Sequence, residues 1–305
     1  MNTALSTPRL WAYLQMMRPA NIVTAWADIL AGFAASGFLL SGENWQVTTN
    51  LMPLAWLLLA TTGLYGGGVV FNDVFDAELD AKERPERPIP SGRASIQSAT
   101  LLGSVLLVLG VLAAAQVSLL SAGIAACIAV AALLYDALSK HHSVIGPLNM
   151  GLCRGGNLML GVSAVPAILG EYWFLAIIPV VYIAAITTLS QGEVHGGKQM
   201  TGIVALLLII TVIAGLLGLE ILKNYQVLAA LPFITLFAIR VLLPFVKAYR
   251  EPSPEQIRIA VRAGVLSLIV LDATVAAGFA GLPFGLIVLC LLPISIRLAR
   301  VFAVT

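Results

Sequence analysis

Four oxygen-bearing side chains stand at the end of one apolar run: Asn72, Asp73, Asp76 and Asp80. Their spacing stacks them along one face of a helix. Carboxylates gathered at the mouth of a bilayer helix are costly unless something positive binds there. Oxygen-only donors suit a hard cation such as Mg²⁺, which combines one or two carboxylates with phosphate oxygens and water. The row therefore points to metal-assisted chemistry on a phosphorylated substrate.

These residues belong to a 305-residue chain that is 59% hydrophobic and 10% charged, with a mean hydropathy of +0.96. No water-soluble fold hides that much apolar surface, so the chain reads as an integral membrane protein. Apolar runs recur at about 20–40, 51–73, 97–117, 119–136, 147–168, 172–191, 201–219, 224–246, 257–279 and 283–302. Each can cross roughly 30 Å of hydrocarbon, which predicts ten spans in an all-α polytopic bundle. Gly63, Pro147, Pro166 and Pro179 inside these runs fit kinked helices around a cavity. Residues 1–18 carry Arg9 and Arg18 on an amphipathic stretch (Leu10, Tyr13, Leu14, Met17) and read as an interfacial helix, not a cleavable leader. With no clear repeat or low-complexity linker, residues 1–305 are expected to form one domain.

Basic residues set the expected orientation. Arg9 and Arg18 precede the first run; Lys82, Arg84, Arg87 and Arg93 follow the second, Lys140 the fourth and Lys198 the sixth. Lys247 and Arg250 follow the eighth, Arg258 and Arg262 open the ninth, and Arg297 and Arg300 end the tenth. The opposite loops hold Lys223 alone, so both termini and the acidic row are expected on the cytoplasmic side of the cell (inner) membrane. A net charge of +2, spread along the chain, gives nucleic acid no basic patch to bind. Cys127, Cys153 and Cys290 lie in apolar runs without CxxC spacing and are expected to be packed free thiols.

The acidic row continues from Asn72-Asp73-Val74-Phe75-Asp76-Ala77-Glu78-Leu79-Asp80 into a basic, proline-rich stretch that includes Arg84 and Arg87-Pro88-Ile89-Pro90-Ser91-Gly92. This pattern resembles the first aspartate-rich motif and trailing loop of the UbiA superfamily of intramembrane prenyltransferases. Arg18-Pro19 with Asn21, Tyr135 with Lys140, and Arg154-Gly155-Gly156-Asn157 agree with that family at matching positions. Where relatives carry a second aspartate cluster, this chain reads Ser190-Gln191-Gly192-Glu193-Val194-His195-Gly196-Gly197-Lys198. That variant is similar to the divergent EboC branch, whose members are encoded beside enzymes resembling sugar-phosphate cyclases. The superfamily is usually described with nine spans, one fewer than the runs counted above.

The resemblance implies a UbiA-like helix bundle around a central cavity, in which an isoprenyl diphosphate lies with its head under the motif loops and its tail in an apolar tunnel. It implies Mg²⁺ held by Asp73 and Asp76 with Asn72 and Asp80, and a second Mg²⁺ served by Glu193 through Gln191 or His195. Arg84, Arg87, Lys140 and Lys198 would clamp the diphosphate, which these basic groups suit chemically. Asn21 and Tyr135 would line the substrate site. Arg154 and Asn157, placed near the cytoplasmic end of the fifth span, would also clamp the diphosphate or contact a small acceptor. Aromatic faces such as Phe71, Phe75 or Tyr135 would shield an allylic cation from water. The EboC likeness suggests a polyol or cyclitol acceptor; an aromatic acid or quinone precursor is the alternative within the superfamily.

Other classes are weighed against this one. A transporter would use the same bundle and buried acids, but the one-sided clustering of acids and bases argues against it. A weakened lipid-diphosphate binder would explain the depleted second motif. Asp28 and Asp272 lie inside spans, Asp28 close enough to Asn21 to reach the cavity and Asp272 suited to a structural bond with a neighbouring helix. Lys140-His141-His142 is no zinc site, because adjacent histidines diverge on a helix and no third ligand flanks them. Gly66-Gly67-Gly68 lacks the strand and the Lys-Ser/Thr of a phosphate loop and is expected to allow close helix packing.

Overall fold

The computed structural model describes residues 9–38, 51–140, 142–194 and 196–302, and the regular structure among them is helical throughout. An amphipathic α1 (Arg9–Met17) leads into α2 (Pro19–Ala35). Helix α3 (Met52–Phe75) is prolonged by the short α4 (Ala77–Glu83). Next come α5 (Ile96–Ala115) and α6 (Leu119–Leu134), the latter ending in a π-helical turn over Tyr135–Ser139. The chain continues through α7 (Ile145–Val162), a short α8 (Leu169–Tyr172), α9 (Ile177–Ser190), α10 (Gln199–Gly218) and α11 (Val227–Arg250). The longest helix, α12 (Pro254–Ala280), precedes α13 (Leu282–Leu289) and α14 (Leu291–Val301).

Every one of the ten expected runs is helical among the described residues, but only eight segments are long and apolar enough to cross a membrane. The first and fifth runs fall short. Helix α2 has 17 residues, nearly all buried, and α7 carries Asn149, Arg154 and Asn157. Both pack among other helices, so they can hold polar groups that a lipid-facing helix could not. Lipid-facing helices such as α5, α6 and α10 instead expose leucine, valine and isoleucine along their outer sides. The last run is broken at Cys290 into α13 and α14, and Ser295 Oγ of α14 donates to the Ala20 carbonyl of α2 at 2.9 Å.

Small residues bring the backbones together. A Cβ on Gly63 of α3 would lie 2.5 Å from the Leu106 carbonyl oxygen of α5, and one on Gly32 of α2 would lie 2.1 Å from the Leu158 carbonyl oxygen of α7. Such contacts substitute for a hydrophobic driving force that lipid does not provide. Gly67 meets α5 in the same way, in keeping with the packing role expected of the triple glycine.

Trp11 of α1 stacks on Phe302, just past α14, with ring centroids 4.7 Å apart. The helix before the first span and the residue after the last therefore share one end of the bundle, which requires an even number of crossings. The cysteines are free, but Cys127 on α6 and Cys290 at the break between α13 and α14 are exposed, not packed as expected; Cys153 is partly buried. In a membrane an exposed thiol meets acyl chains, so composition alone could not separate the two cases.

Candidate active site

The acidic row holds together across a small break. Asp76 interrupts the helix between α3 and α4, yet its N–H donates to the Asn72 carbonyl at 3.0 Å and the Asp80 N–H donates to the Asp76 carbonyl at 2.8 Å. Helical pitch is thereby kept, and Asp73, Asp76 and Asp80 stay on one side. Each has a basic partner. Arg87 Nη1 bridges Asp80 Oδ2 at 2.8 Å and Asp73 Oδ1 at 3.3 Å. Arg18 Nη2 reaches the same Asp73 oxygen at 3.0 Å and Asn72 Oδ1 at 3.4 Å. Lys140 donates to Asp76 Oδ1.

Local structure aims these partners. Arg18 sits at the joint of α1 and α2 with φ 48°, the only non-glycine residue with positive φ among those described. That conformation costs about 1 kcal/mol, and it directs the guanidinium at the end of α3. In the proline-rich loop, Arg93 donates to Gln15 Oε1 of α1 at 3.1 Å, which helps to hold the segment that presents Arg87. The π-helical turn, closed by a Lys140 N–H bond to the Tyr135 carbonyl at 2.9 Å, adds a residue to the end of α6. It places Asp136, whose Oδ1 accepts from Asn72 Nδ2 at 2.8 Å, and Lys140 together against α3.

Beneath this layer lies a cavity of about 230 Å³. Arg18, Asn72, Tyr135 and Asp136 frame its mouth; Leu64, Val69, Ile128, Ala132 and Met150 form apolar walls; Thr61, Tyr65, Arg154 and Asn157 lie deeper. The walls are apolar, and the floor is polar. Arg154 pairs through Nε with Asp28 Oδ2 at 3.2 Å, donates from Nη2 to Thr24 Oγ1 at 2.9 Å, and stands 5.6 Å from the Tyr65 ring centroid. Asn157 Nδ2 donates to Asp28 Oδ2 at 2.8 Å, and Thr61 Oγ1 donates to Asn157 Oδ1 at 2.7 Å. The wholly buried Asp272 of α12 adjoins Asp28.

Arg154 and Asn157 are thus not near the end of the span. They lie two to three turns into α7, well below the carboxylate row, and Asp28 is their partner. Asn21 is buried in the first turn of α2, where its carbonyl accepts from Thr24 Oγ1 at 2.7 Å. Tyr135 is at the mouth, whereas Phe75 points outward and is half exposed. Asp136 escaped the sequence reading altogether. Its signal was available: an acid between Tyr135 and Lys140 at the end of an apolar run, of the kind that singled out Asp28 and Asp272.

The second acidic region is less assembled. Glu193 has one carboxylate oxygen buried without a hydrogen-bond partner. Burial pushes its carboxyl above the usual range, and the positive charges of Arg84 and Arg258 pull it back down. Gln191 uses its amide to donate to the Ser143 carbonyl at 3.1 Å, and Lys198 is exposed at the start of α10. His195 lies outside the described residues.

Among the described residues no three histidine, cysteine or acidic side chains converge as a closed metal site. Mg²⁺ bound with a diphosphate does not need one, since one or two carboxylates suffice. Asp76, the most accessible of the three aspartates, and Asp73 one turn away are hard oxygen donors of that kind. The donor set fits the ion.

A helical membrane bundle with a carboxylate and arginine cluster over a partly enclosed cavity belongs to the class of intramembrane enzymes that work at the bilayer surface. Residues 30–268 match the UbiA prenyltransferase family, and the chain belongs to it. Digeranylgeranylglyceryl phosphate synthase of Methanothrix thermoacetophila is 33% identical over 192 residues, covering 61% of this chain and 69% of the relative. The enzyme of that name from Sulfolobus acidocaldarius is 32% identical over 192 residues, covering 63% and 64%. The matched region thus spans about two thirds of these relatives' length. A solved structure of digeranylgeranylglyceryl phosphate synthase shares the fold, with a TM-score of 0.67 at 20% identity over 90% of this chain and 99% of that one.

Proposed function

We propose that the chain, working as one domain, transfers an isoprenyl group from an isoprenyl diphosphate to a hydroxyl of a small polar acceptor, with Mg²⁺, at the cytoplasmic face of the cell membrane. The observation that carries this reading is the carboxylate row interleaved with Arg18, Arg87 and Lys140 at the mouth of the cavity. Asp73 and Asp76, supported by Asn72 and Asp80, would hold Mg²⁺, with Glu193 serving a second ion. When bound, the ion supplies charge neutralisation on the departing diphosphate. Arg87 and Lys140 share their N–H donors between the carboxylates and the diphosphate oxygens, and Arg84 and Lys198 reach the same head from the neighbouring loops. The allylic C–O bond breaks with its electron pair on the diphosphate. The acceptor oxygen then bonds to the allylic carbon, and its proton passes to the diphosphate as it leaves. Tyr135 and the apolar walls keep water from the cation.

A polyol-type acceptor is favoured by the mixed character of the cavity, apolar in its walls and polar at its floor. The names of the relatives favour a second reading, an acceptor of the glyceryl phosphate kind. Purified protein in detergent should release diphosphate from an isoprenyl diphosphate when Mg²⁺ is present and stop when EDTA is added. Release that ignores the chelator would refute the metal-assisted step. Orientation is checked separately. Reporters after Asn44 and after Arg300 should give opposite signals, with the second one cytoplasmic, and equal signals would contradict the even count of crossings.

A further inference from the structure

The floor of the cavity holds a guanidinium whose N–H donors are only partly used within the protein. Arg154 is 5% exposed, yet its Nη1 is buried without a partner although the residue lines the cavity. Nη2 donates to Thr24, and Nε faces Asp28 Oδ2 at 3.2 Å as an ion pair without forming a hydrogen bond. Asn157 and Thr61 beside it are turned to each other and to Asp28. An unmet guanidinium N–H in a low-dielectric site is costly, and a ligand oxygen that accepts it removes the cost.

Charge decides what kind of oxygen that is. Arg154 is already matched by Asp28, and a second carboxyl, Asp272, adjoins the pair. The floor therefore carries no surplus positive charge to repay the desolvation of a phosphate or carboxylate, and an anion placed there would face two acids. A hydroxyl or carbonyl oxygen brings no charge, needs only the one donor, and rests its carbon skeleton on Leu64, Ile128 and Met150. On the reading that this cavity receives the acceptor, we propose that Arg154 is a specificity-determining residue that donates from Nη1 to a neutral oxygen of the acceptor. Asp28 is the positioning residue that keeps the subsite neutral. Acceptors of the polyol class fit; those that must bury an anionic group at this depth do not.

The test is a binding competition between a neutral cyclitol, myo-inositol, and its monophosphate, read by saturation-transfer NMR on the intact protein in detergent. Wild-type protein should retain the neutral probe in preference to the phosphate. Asp28→Asn, which leaves Arg154 with an unmatched charge, should shift the preference toward the phosphate by about tenfold. Breaking a buried pair can unfold a protein, so Asp28→Asn/Arg154→Gln, which removes both charges together, is the second variant. It should lose affinity for myo-inositol by about tenfold and elute as monodisperse protein. A wild-type preference for the phosphate, or a folded double variant that binds myo-inositol unchanged, overturns the proposal. Because the preference is read by binding, it stands or falls apart from diphosphate release, which tests the prenyl-transfer reading.

Discussion

Asp76→Ala is expected to lower Mg²⁺-dependent diphosphate release by about 10³-fold, the scale of losing a preorganised charge-stabilising contact. Asp76 is the most accessible of the three aspartates and is paired with Lys140 from another helix. Its removal takes away a hard oxygen donor and leaves the lysine ammonium without its counter-charge. Two explanations of a dead variant, lost metal binding and a misplaced lysine, are separated by Asp76→Asn/Lys140→Gln. That pair removes both charges together. If Asp76 served only to neutralise Lys140, the double variant would recover turnover; if Asp76 binds the ion with its diphosphate, it stays inactive. Turnover by Asp76→Ala close to that of the wild type would remove the row from the reaction.

The second large effect is structural. Gly32→Val should lose at least about 3 kcal/mol of stability, the upper part of the range for overpacking a tight interior. A Cβ at Gly32 would come within 2.1 Å of the Leu158 carbonyl oxygen and 2.8 Å of the Val162 nitrogen. Both obstacles are backbone atoms, so no side chain can rotate away. Helices α2 and α7 would have to separate, and that separation would pull Asp28 from Arg154 and Asn157, which are bonded across the same interface. Unfolding in detergent followed by circular dichroism would register the loss. Gly123→Val is the control, because nothing lies within 4 Å of a Cβ built there, and it should leave the midpoint almost unchanged.

The contrast between the two predictions reflects what can be read from a sequence. Asp73, Asp76 and Asp80 are close in the chain, so helical periodicity alone brings them to one face, and the basic loop that follows can be expected to fold back on them. Arg18 and Lys140 lie on other elements, and their approach depends on a left-handed residue and a π-helical turn that no local pattern announces. Asp136 stands out as an acid at the end of an apolar run, but its contact with Asn72 depends on the π-helical turn, since an ordinary helical end would turn it differently. Spans one and five were legible as apolar runs even though the polar groups that make them cavity-lining weaken them by composition. Asp28 was legible as a polar anomaly, but not its partners Arg154 and Asn157, which lie some 130 positions away. Glu193 feels the charges of Arg84, which follows the first row, and of Arg258, while Gln191 beside it is turned to the Ser143 carbonyl.

The stacking of Trp11 on Phe302 carries a consequence for supply. Trp11 and Phe302 meet at one end of the bundle, so soluble enzymes fused beyond either would operate on the same side of the membrane. Tethering the maker of the acceptor in this way would raise its local concentration on that side without altering a single contact inside the bundle.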